Sequence, residues 1–261
     1  GRAREWGGRW SERLASLSEP RAAASGAQVH KGVLRSGETV AIKILRPNIR
    51  KAMKQDMDVL AMVANLAEFF VPDTRRLGPK IFVETAGRAV MLELDLRLEA
   101  AAASELSVPA VETGLYKVPE IFWSLGGKDV LVTEWVDGLA VSNDKILTDP
   151  AYDPKELSRK IMQSFLACSF DYGVFHADMH EGNMIVTDDG GLVLVDFGIL
   201  GRLSPKEQRF HAEILYGFLQ RDYIRIAEVH FEAGDVPSHH GIDDFASVLR
   251  AVGEPIFGNP A

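Results

Sequence analysis

Apolar residues alternate along Val29–Leu34 and again along Thr39-Val40-Ala41-Ile42-Lys43-Ile44-Leu45, with Gly37 between them. This predicts two β-strands joined by a short hairpin. From Asn48 to Phe70 the period lengthens, with Met53, Met57, Leu60, Val63, Leu66 and Phe70 at helical spacing, and Pro72 ends the run. Ile81–Val83 and Arg88–Leu92 read as another strand pair, followed by an Ala-rich helix from about Asp95 to Leu106. Val118–Ser124 and Val130–Val136 are strand-like again, and the character changes at Gly138. A polar connector over Ser142–Pro154 leads into an amphipathic helix, Lys155–Tyr172. A hairpin of Met184–Val186 and Leu192–Val195, turning at Asp189-Gly190, and a helix over Pro205–Val229 complete the pattern. Strands first and helices afterwards predict an α+β fold of two unlike lobes around a cleft. The expected division is a partly ordered lead-in over 1–20, which carries Trp6 and Trp10, a β-rich N-lobe over 21–137 and a mainly helical, truncated C-lobe over 138–261.

Composition narrows the function classes. At 261 residues and 46% hydrophobic content the chain can bury substantial cores. Its net charge of −8 disfavours a nucleic-acid partner, which clustered Lys and Arg would have to neutralise; only Arg46–Lys54 is locally basic. Cys168 is the one cysteine, so an intrachain disulfide and a Cys-based zinc site are excluded. No uninterrupted run of about 18 apolar residues occurs. The most lipid-like stretch, Val59–Val71, contains Asn65 and Glu68. The chain opens on Gly1 and reads as a fragment.

The candidate chemistry sits in His176-Ala177-Asp178-Met179-His180-Glu181-Gly182-Asn183 and, beyond it, Asp196-Phe197-Gly198. An Asp ahead of an Asn, then a second Asp on a hairpin, supplies one base and two magnesium ligands around a nucleotide triphosphate. Asp178 would orient or accept the proton of the attacking hydroxyl or water, and Asn183 and Asp196 would hold Mg²⁺. His176 is expected to brace the loop, and a structural role is favoured over a metal role for His180. Upstream, Val40-Ala41-Ile42-Lys43 supplies the lysine for the α- and β-phosphates. Its acidic partner is Glu68 or Glu99, and Glu99 is preferred because Glu93, Asp95 and Glu99 cluster at a helix entry; the bland alternative is an acidic turn that stabilises a helix N-terminus. A loop of pattern Gly-x-Gly-x-x-Gly-x-Val should precede the strands, but its glycines are replaced by Ala22, Ala24 and Ala27, leaving Gly26. A Cβ resists positive φ and close approach to phosphate, which predicts a stiffer lid. Leu131–Gly138 reads as a hinge, in which the Glu134 carbonyl and the Val136 amide are expected to meet an adenine edge with Thr133 behind the ring; an ordinary buried strand would read the same.

Together these residues resemble the UbiB-like atypical kinases of ubiquinone biosynthesis, a protein-kinase-like, bilobal family. The resemblance rests on Ala22-Ala23-Ala24-Ser25-Gly26-Ala27-Gln28-Val29-His30, on Glu93–Ala100 and on Phe175–Asn183, and runs from Ala22 almost to the end of the chain. It implies ATP or ADP and Mg²⁺ as cofactors. The nucleotide would lie against Ala22–Ala27, Val29, Ala41, Lys43, Glu134 and Val136, with Lys43 and Glu99 joining Asp178 in catalysis and Glu93, Asp95 and His176 supporting them. It also implies ATPase or small-molecule kinase activity in coenzyme Q production, and a quinone-like lipid precursor, a membrane surface or a ubiquinone-biosynthesis complex as partners. The implied location is cytoplasmic, peripheral to the inner membrane. Glu181 stands where the family usually has Pro, Ala102 where Asn is common, and the family's Lys-x-Gly-Gln extension and C-terminal membrane segment are not among these residues. Two other readings compete. One is an aminoglycoside- or choline-kinase-like phosphotransferase, disfavoured by the alanine-rich loop and the Glu93–Glu99 cluster; the other is a pseudokinase scaffold without meaningful turnover.

Overall fold

The alternation along the first strands builds a four-stranded antiparallel sheet of β1 (Leu14–Ala23), β2 (Ala27–Leu34), β3 (Thr39–Leu45) and β4 (Val130–Glu134), in that order. The computed structural model describes residues 12–23, 26–71, 76, 78–237 and 239–258, with the side chains of Ala22 and Ala23 outside that description; Trp6 and Trp10 also fall outside it. Gly37, at φ 104°, closes the β2–β3 hairpin in a conformation that other residues resist. On one face Val40, Ile42 and Ile44 bury against Leu14, Leu34, Val130 and Val132. Period two then turns Ala41 and Lys43 to the opposite face, where the register sets Ala41 beside Thr133 and Lys43 beside Leu131 and Val29.

Three helices follow β3: α1 (Ile49–Phe70), α2 (Pro79–Glu93) and α3 (Leu96–Thr113). The strand pair expected at 81–83 and 88–92 is replaced by α2. Pro79 at its first position suits a helix start, and the segment packs on α1 instead of finding a strand partner. The Glu68–Lys80 ion pair at 3.1 Å and the seating of Gly87 on Met57 show that α1 and α2 run antiparallel. Much apolar surface on this pair is exposed, including Phe69, Phe70, Ile81 and Phe82. In α3 the buried positions Leu96, Glu99, Ala100, Ala103, Leu106 and Ala110 follow the helical period, and Glu99 is the one charged member. The helix runs past the expected end at Leu106, through Pro109, to a left-handed cap at Gly114.

The stretch expected as a strand at 118–124 makes only an Ile121–Thr133 bridge and a 3₁₀ turn at Trp123–Leu125; Pro119 lacks the donor that a ladder needs. Within the polar connector lies α4 (Lys145–Thr148), and α5 (Pro154–Ala167) passes into a π-helical turn over Cys168–Tyr172. β5 (Leu139–Ala140) pairs with the hairpin of β7 (Met184–Val186) and β8 (Leu192–Leu194), while β6 (Val174–His176) and β9 (Leu200–Arg202) flank them in sequence. The single helix expected over 205–229 is two, α6 (Pro205–Gln220) and α7 (Tyr223–Ala233). Arg221 turns left-handed at φ 57°, and the Asp222 carboxylate accepts from Arg225 N–H to start the second. α8 (Ile242–Gly258) ends the described chain.

Contacts divide the chain into two units, one holding the residues up to Ile161 with His176–Leu200, the other Met162–Phe175 with the residues from Gly201 on. The second unit has its own core of Tyr223, Ile226, Ala227 and Ala246. Among the described residues no helix is long and apolar enough to cross a membrane.

Candidate active site

The first unit holds an open cavity of about 770 Å³ lined by residues of the four-stranded sheet, α3, the loop after β6 and the segment after β8. Its strand side is the outward face of β2 and β3: Ala27, Val29, Ala41 and Lys43 line it, with Leu131 and Thr133 from β4. Lys43 Nζ donates to Glu99 Oε1 and to Asp196 Oδ1, both at 2.8 Å. Glu68, the other candidate, lies on α1 bonded to Lys80 instead.

The three charges are unequally buried: side-chain exposure is 13% for Lys43, 8% for Glu99 and 38% for Asp196. Burial alone would lower the Lys43 ammonium, yet the charges of Glu99 and Asp196 outweigh it and hold the group above its ordinary value. Burial pushes the Glu99 carboxyl up; Lys43 pulls against that rise and the charge of Asp196 adds to it. The directions agree, because one cation between two acids leaves the cluster with an excess negative charge that the more buried acid resists.

Asp95 reaches the cavity only indirectly. It caps α3 by accepting from Arg97 N–H at 3.2 Å and pairs with the Arg97 guanidinium at 2.6 Å. These hydrogen bonds hold its carboxyl below the usual range against a smaller effect of burial. The cap fixes where α3 begins, and hence where Glu99 points, one turn in. Arg50 adds a second anchor through Asp129 and, at 2.6 Å, the Leu94 carbonyl. Glu93 lines the cavity directly.

On the opposite side the loop after β6 is braced through backbone groups. Asp178 N–H donates to His176 Nδ1 at 3.1 Å, so a neutral His176 carries its proton on Nε2, which faces the Val195 carbonyl at 3.2 Å. The His176 ring also packs 5.4 Å from that of Phe197. Gly182 N–H donates to His180 Nδ1 at 3.0 Å. Asn183 Nδ2 donates to the Asp178 carbonyl at 3.1 Å. That carbonyl can only accept, which assigns the amide orientation and leaves Asn183 Oδ1 as the oxygen available to a ligand. Asp196 takes a left-handed φ of 60°, tolerable for Asp and costly for most residues, and this aims its carboxylate at Lys43.

Glu134 and Val136 line the cavity where β4 ends. The Glu134 carbonyl accepts from the Thr133 hydroxyl at 3.3 Å, and Trp135 N–H is bonded to the Thr39 carbonyl at 3.1 Å. A clamp that the sequence reading missed lies next to them: Asp137 accepts from Trp135 Nε1 at 2.8 Å and from Lys31 Nζ at 3.1 Å, while Lys31 sits 4.7 Å from the Trp135 ring centroid. The alternation of β2 could have placed Lys31, but its partner lies 106 residues away. Of the alanine-rich loop, Ala22 and Ala23 end β1 opposite Val29 and Gln28, and Gly26 and Ala27 line the cavity. Ala24 and Ser25 fall outside the described residues.

The donor chemistry fits a magnesium ion held with phosphate. The Asp196 carboxylate and Asn183 amide oxygens are hard ligands, and among the described residues no group of three or more His, Cys, Asp or Glu forms a protein-only metal cage. Mg²⁺ is commonly held by one or two protein oxygens, waters and substrate phosphates.

Comparison with known proteins identifies the family and the fold. The family description "ABC1 atypical kinase-like domain" matches residues 2–230. A protein of Pseudomonas putida (strain W619) named "Probable protein kinase UbiB" is 38% identical over 246 residues, covering 93% of this chain and 46% of that protein. Its namesake in Cellvibrio japonicus (strain Ueda107) is 38% identical over 246 residues, covering 93% and 45% respectively. The chain thus spans about half the length of the curated relatives it matches. The solved structure titled "The complex structure of Rv3197-erythromycin from Mycobacterium tuberculosis" shares the fold, with a TM-score of 0.75 at 24% identity, covering 97% of this chain and 64% of that one. An α+β chain with a lysine held between two acids, matched along nearly its whole length, belongs to the ABC1 atypical kinase-like family, with UbiB proteins among its relatives.

Proposed function

We propose that this chain is the nucleotide-binding, phosphoryl-transferring portion of a UbiB-like atypical kinase that supports ubiquinone biosynthesis and transfers phosphate to water or a small molecule. The observation that carries the reading is Lys43 bonded to both Glu99 and Asp196 across a cavity from Asp178 and Asn183. Lys43 would hold the α- and β-phosphates of ATP or ADP while Glu99, bonded to it at 2.8 Å, keeps it extended. Gly26, Ala27, Val29 and Ala41 form the strand-side wall, and the alanine-rich sequence Ala22–Ser25 that precedes them is the segment expected to cover the phosphates. The Glu134 carbonyl and Val136 amide offer the adenine edge its partners. Asn183 and Asp196 would hold Mg²⁺, which when bound offsets the charge that develops on phosphate oxygens. Asp178 takes the proton of the acceptor, and His176 keeps its backbone in place. Glu93 and Asp95 support the start of α3.

The acceptor is taken to be a quinone-like lipid precursor or water, met at a membrane surface or in a biosynthetic complex by the longer protein, on the cytoplasmic side of the inner membrane. A scaffold reading has one observation in its favour: Lys43 already engages one oxygen of the Asp196 carboxylate that would ligate the metal. Magnesium-dependent ATP hydrolysis by the full-length protein, with and without a phenolic quinone precursor and membrane vesicles, decides between them. Turnover abolished in Asp178→Asn supports the enzyme. Nucleotide binding without turnover supports the scaffold, and transfer to an amino-alcohol would overturn the assignment.

A further inference from the structure

We propose that His180 is a positioning residue for Asp178 and selects which oxygen of that carboxylate receives the acceptor's proton. The inference rests on the phosphoryl-transfer reading above. Its first support is the tautomer. Gly182 N–H, which can only donate, points at His180 Nδ1 from 3.0 Å, so a neutral ring must carry its proton on Nε2. Its second support is the seating of the ring. A Cβ on Gly182 would lie 2.8 Å from His180 Cε1, so the imidazole packs on the glycine backbone and a larger residue there would push the ring from its present place. The His180 carbonyl also accepts from Asn183 N–H at 2.9 Å, so the 3₁₀ turn over Glu181–Asn183 that presents Asn183 also anchors the His180 backbone.

The third support is convergence. His180 Nε2 stands 3.9 Å from Asp178 Oδ2, and Asn183 Nδ2 stands 3.4 Å from the same oxygen. Among the described residues nothing is hydrogen-bonded to Oδ1. Catalytic hydrogen bonds in an unliganded site are often long and tighten when the site fills, so 3.9 Å is a separation that a small loop movement closes. Asn183 Nδ2 bonds Oδ2 and His180 Nε2 stands on the same side of the carboxylate, so closing the His180 contact would occupy Oδ2 with donors and leave Oδ1 for the acceptor. Asp178 then accepts the proton at Oδ1 as the acceptor's oxygen bonds to phosphorus and the bond to the departing diphosphate breaks. With Nδ1 already occupied by Gly182, His180 is positioned for this role and not for ligating a metal through that nitrogen.

The test uses the full-length protein with Mg²⁺ and ATP, comparing wild type with His180→Ala, His180→Asn and His180→Gln. Asn retains an acceptor near Nδ1 but cannot reach Asp178, whereas Gln carries an N–H to about the place of Nε2. Ala and Asn should lower kcat by about tenfold or more, the scale on which misplacing a reacting group acts, with KM and ADP affinity held. Gln should recover a clear part of that loss. A purely structural role would lower melting temperature and nucleotide affinity in all three together, and that outcome, or Gln no better than Asn, overturns the proposal. Ring-nitrogen NMR separates this inference from the reading beneath it. If Asp178→Asn leaves turnover unchanged, the phosphoryl-transfer reading fails. His180 ring nitrogens that shift in Asp178→Asn still support the pairing, and ring nitrogens that do not shift refute it.

Discussion

The two walls of the cavity handle charge in opposite ways. On the strand side Lys43 and Glu99 are largely withdrawn from water and bonded to each other, whereas on the loop side Asp178 and His180 remain 49% and 57% exposed. Burial makes the first pair rigid and costly to break, because a partner left behind is an uncompensated charge in a poor solvent. Exposure leaves the second pair free to change partners. A site that must both hold a polyanion and exchange a proton needs one wall of each kind.

The sharpest way to break this contrast is Asp178→Asn. It should reduce turnover by about 10²–10⁴-fold, measured as phosphate release, with nucleotide affinity and melting temperature nearly unchanged. Lys43→Met attacks the other wall and should cost about 3–5 kcal/mol in urea denaturation, because it strands buried Glu99. Its loss of turnover should therefore be accompanied by unfolding, the reverse of the Asp178 result. Glu99 also gives the strand side a pH signature. Its folded value is raised, so the folded chain binds this proton more tightly than the unfolded chain does. The contribution to stability is full below the ordinary carboxylate range and declines as pH rises through that range to the raised folded value. Glu99→Gln should flatten that stretch of the stability–pH curve, and an unaltered slope would refute the assignment.

Smaller effects grade the supports of each wall. Asp95→Ala removes the α3 cap and should cost about 1 kcal/mol in thermal melts, with a modest loss of nucleotide affinity as Glu99 loosens. Lys31→Ala should cost less than about 1 kcal/mol, since its pairing with Asp137 is exposed to water. A larger value would mean that the clamp on Trp135 stiffens the end of β4.

What was legible in the chain follows the range over which each feature is determined. The alternation through Val40, Ile42 and Ile44 is local, and it was enough to turn Lys43 away from the core. The spacing of Asp178, Asn183 and Asp196 is likewise carried by one loop and one hairpin. The choice between Glu68 and Glu99 depended on a contact spanning 56 residues, which periodicity narrows but does not decide. α2 reads as strands in the sequence because Ile81, Phe82, Val83 and Val90 favour strands intrinsically, and packing on α1 overrides that preference. The break at Arg221 gave no glycine or proline signal, and the Lys31–Asp137 clamp could not be read from either end alone.

The two-sided character of β3 has a consequence for editing this gene. Removing one residue between Val40 and Lys43, with β4 pairing kept, would exchange the strand's faces: the ammonium would enter an oily core while an aliphatic side chain took its place in the cavity. Losing two residues from the Arg35–Glu38 turn would preserve parity and spare the site. Tolerance to insertions and deletions here should alternate odd against even, a frame written in protein geometry on top of the one written in codons.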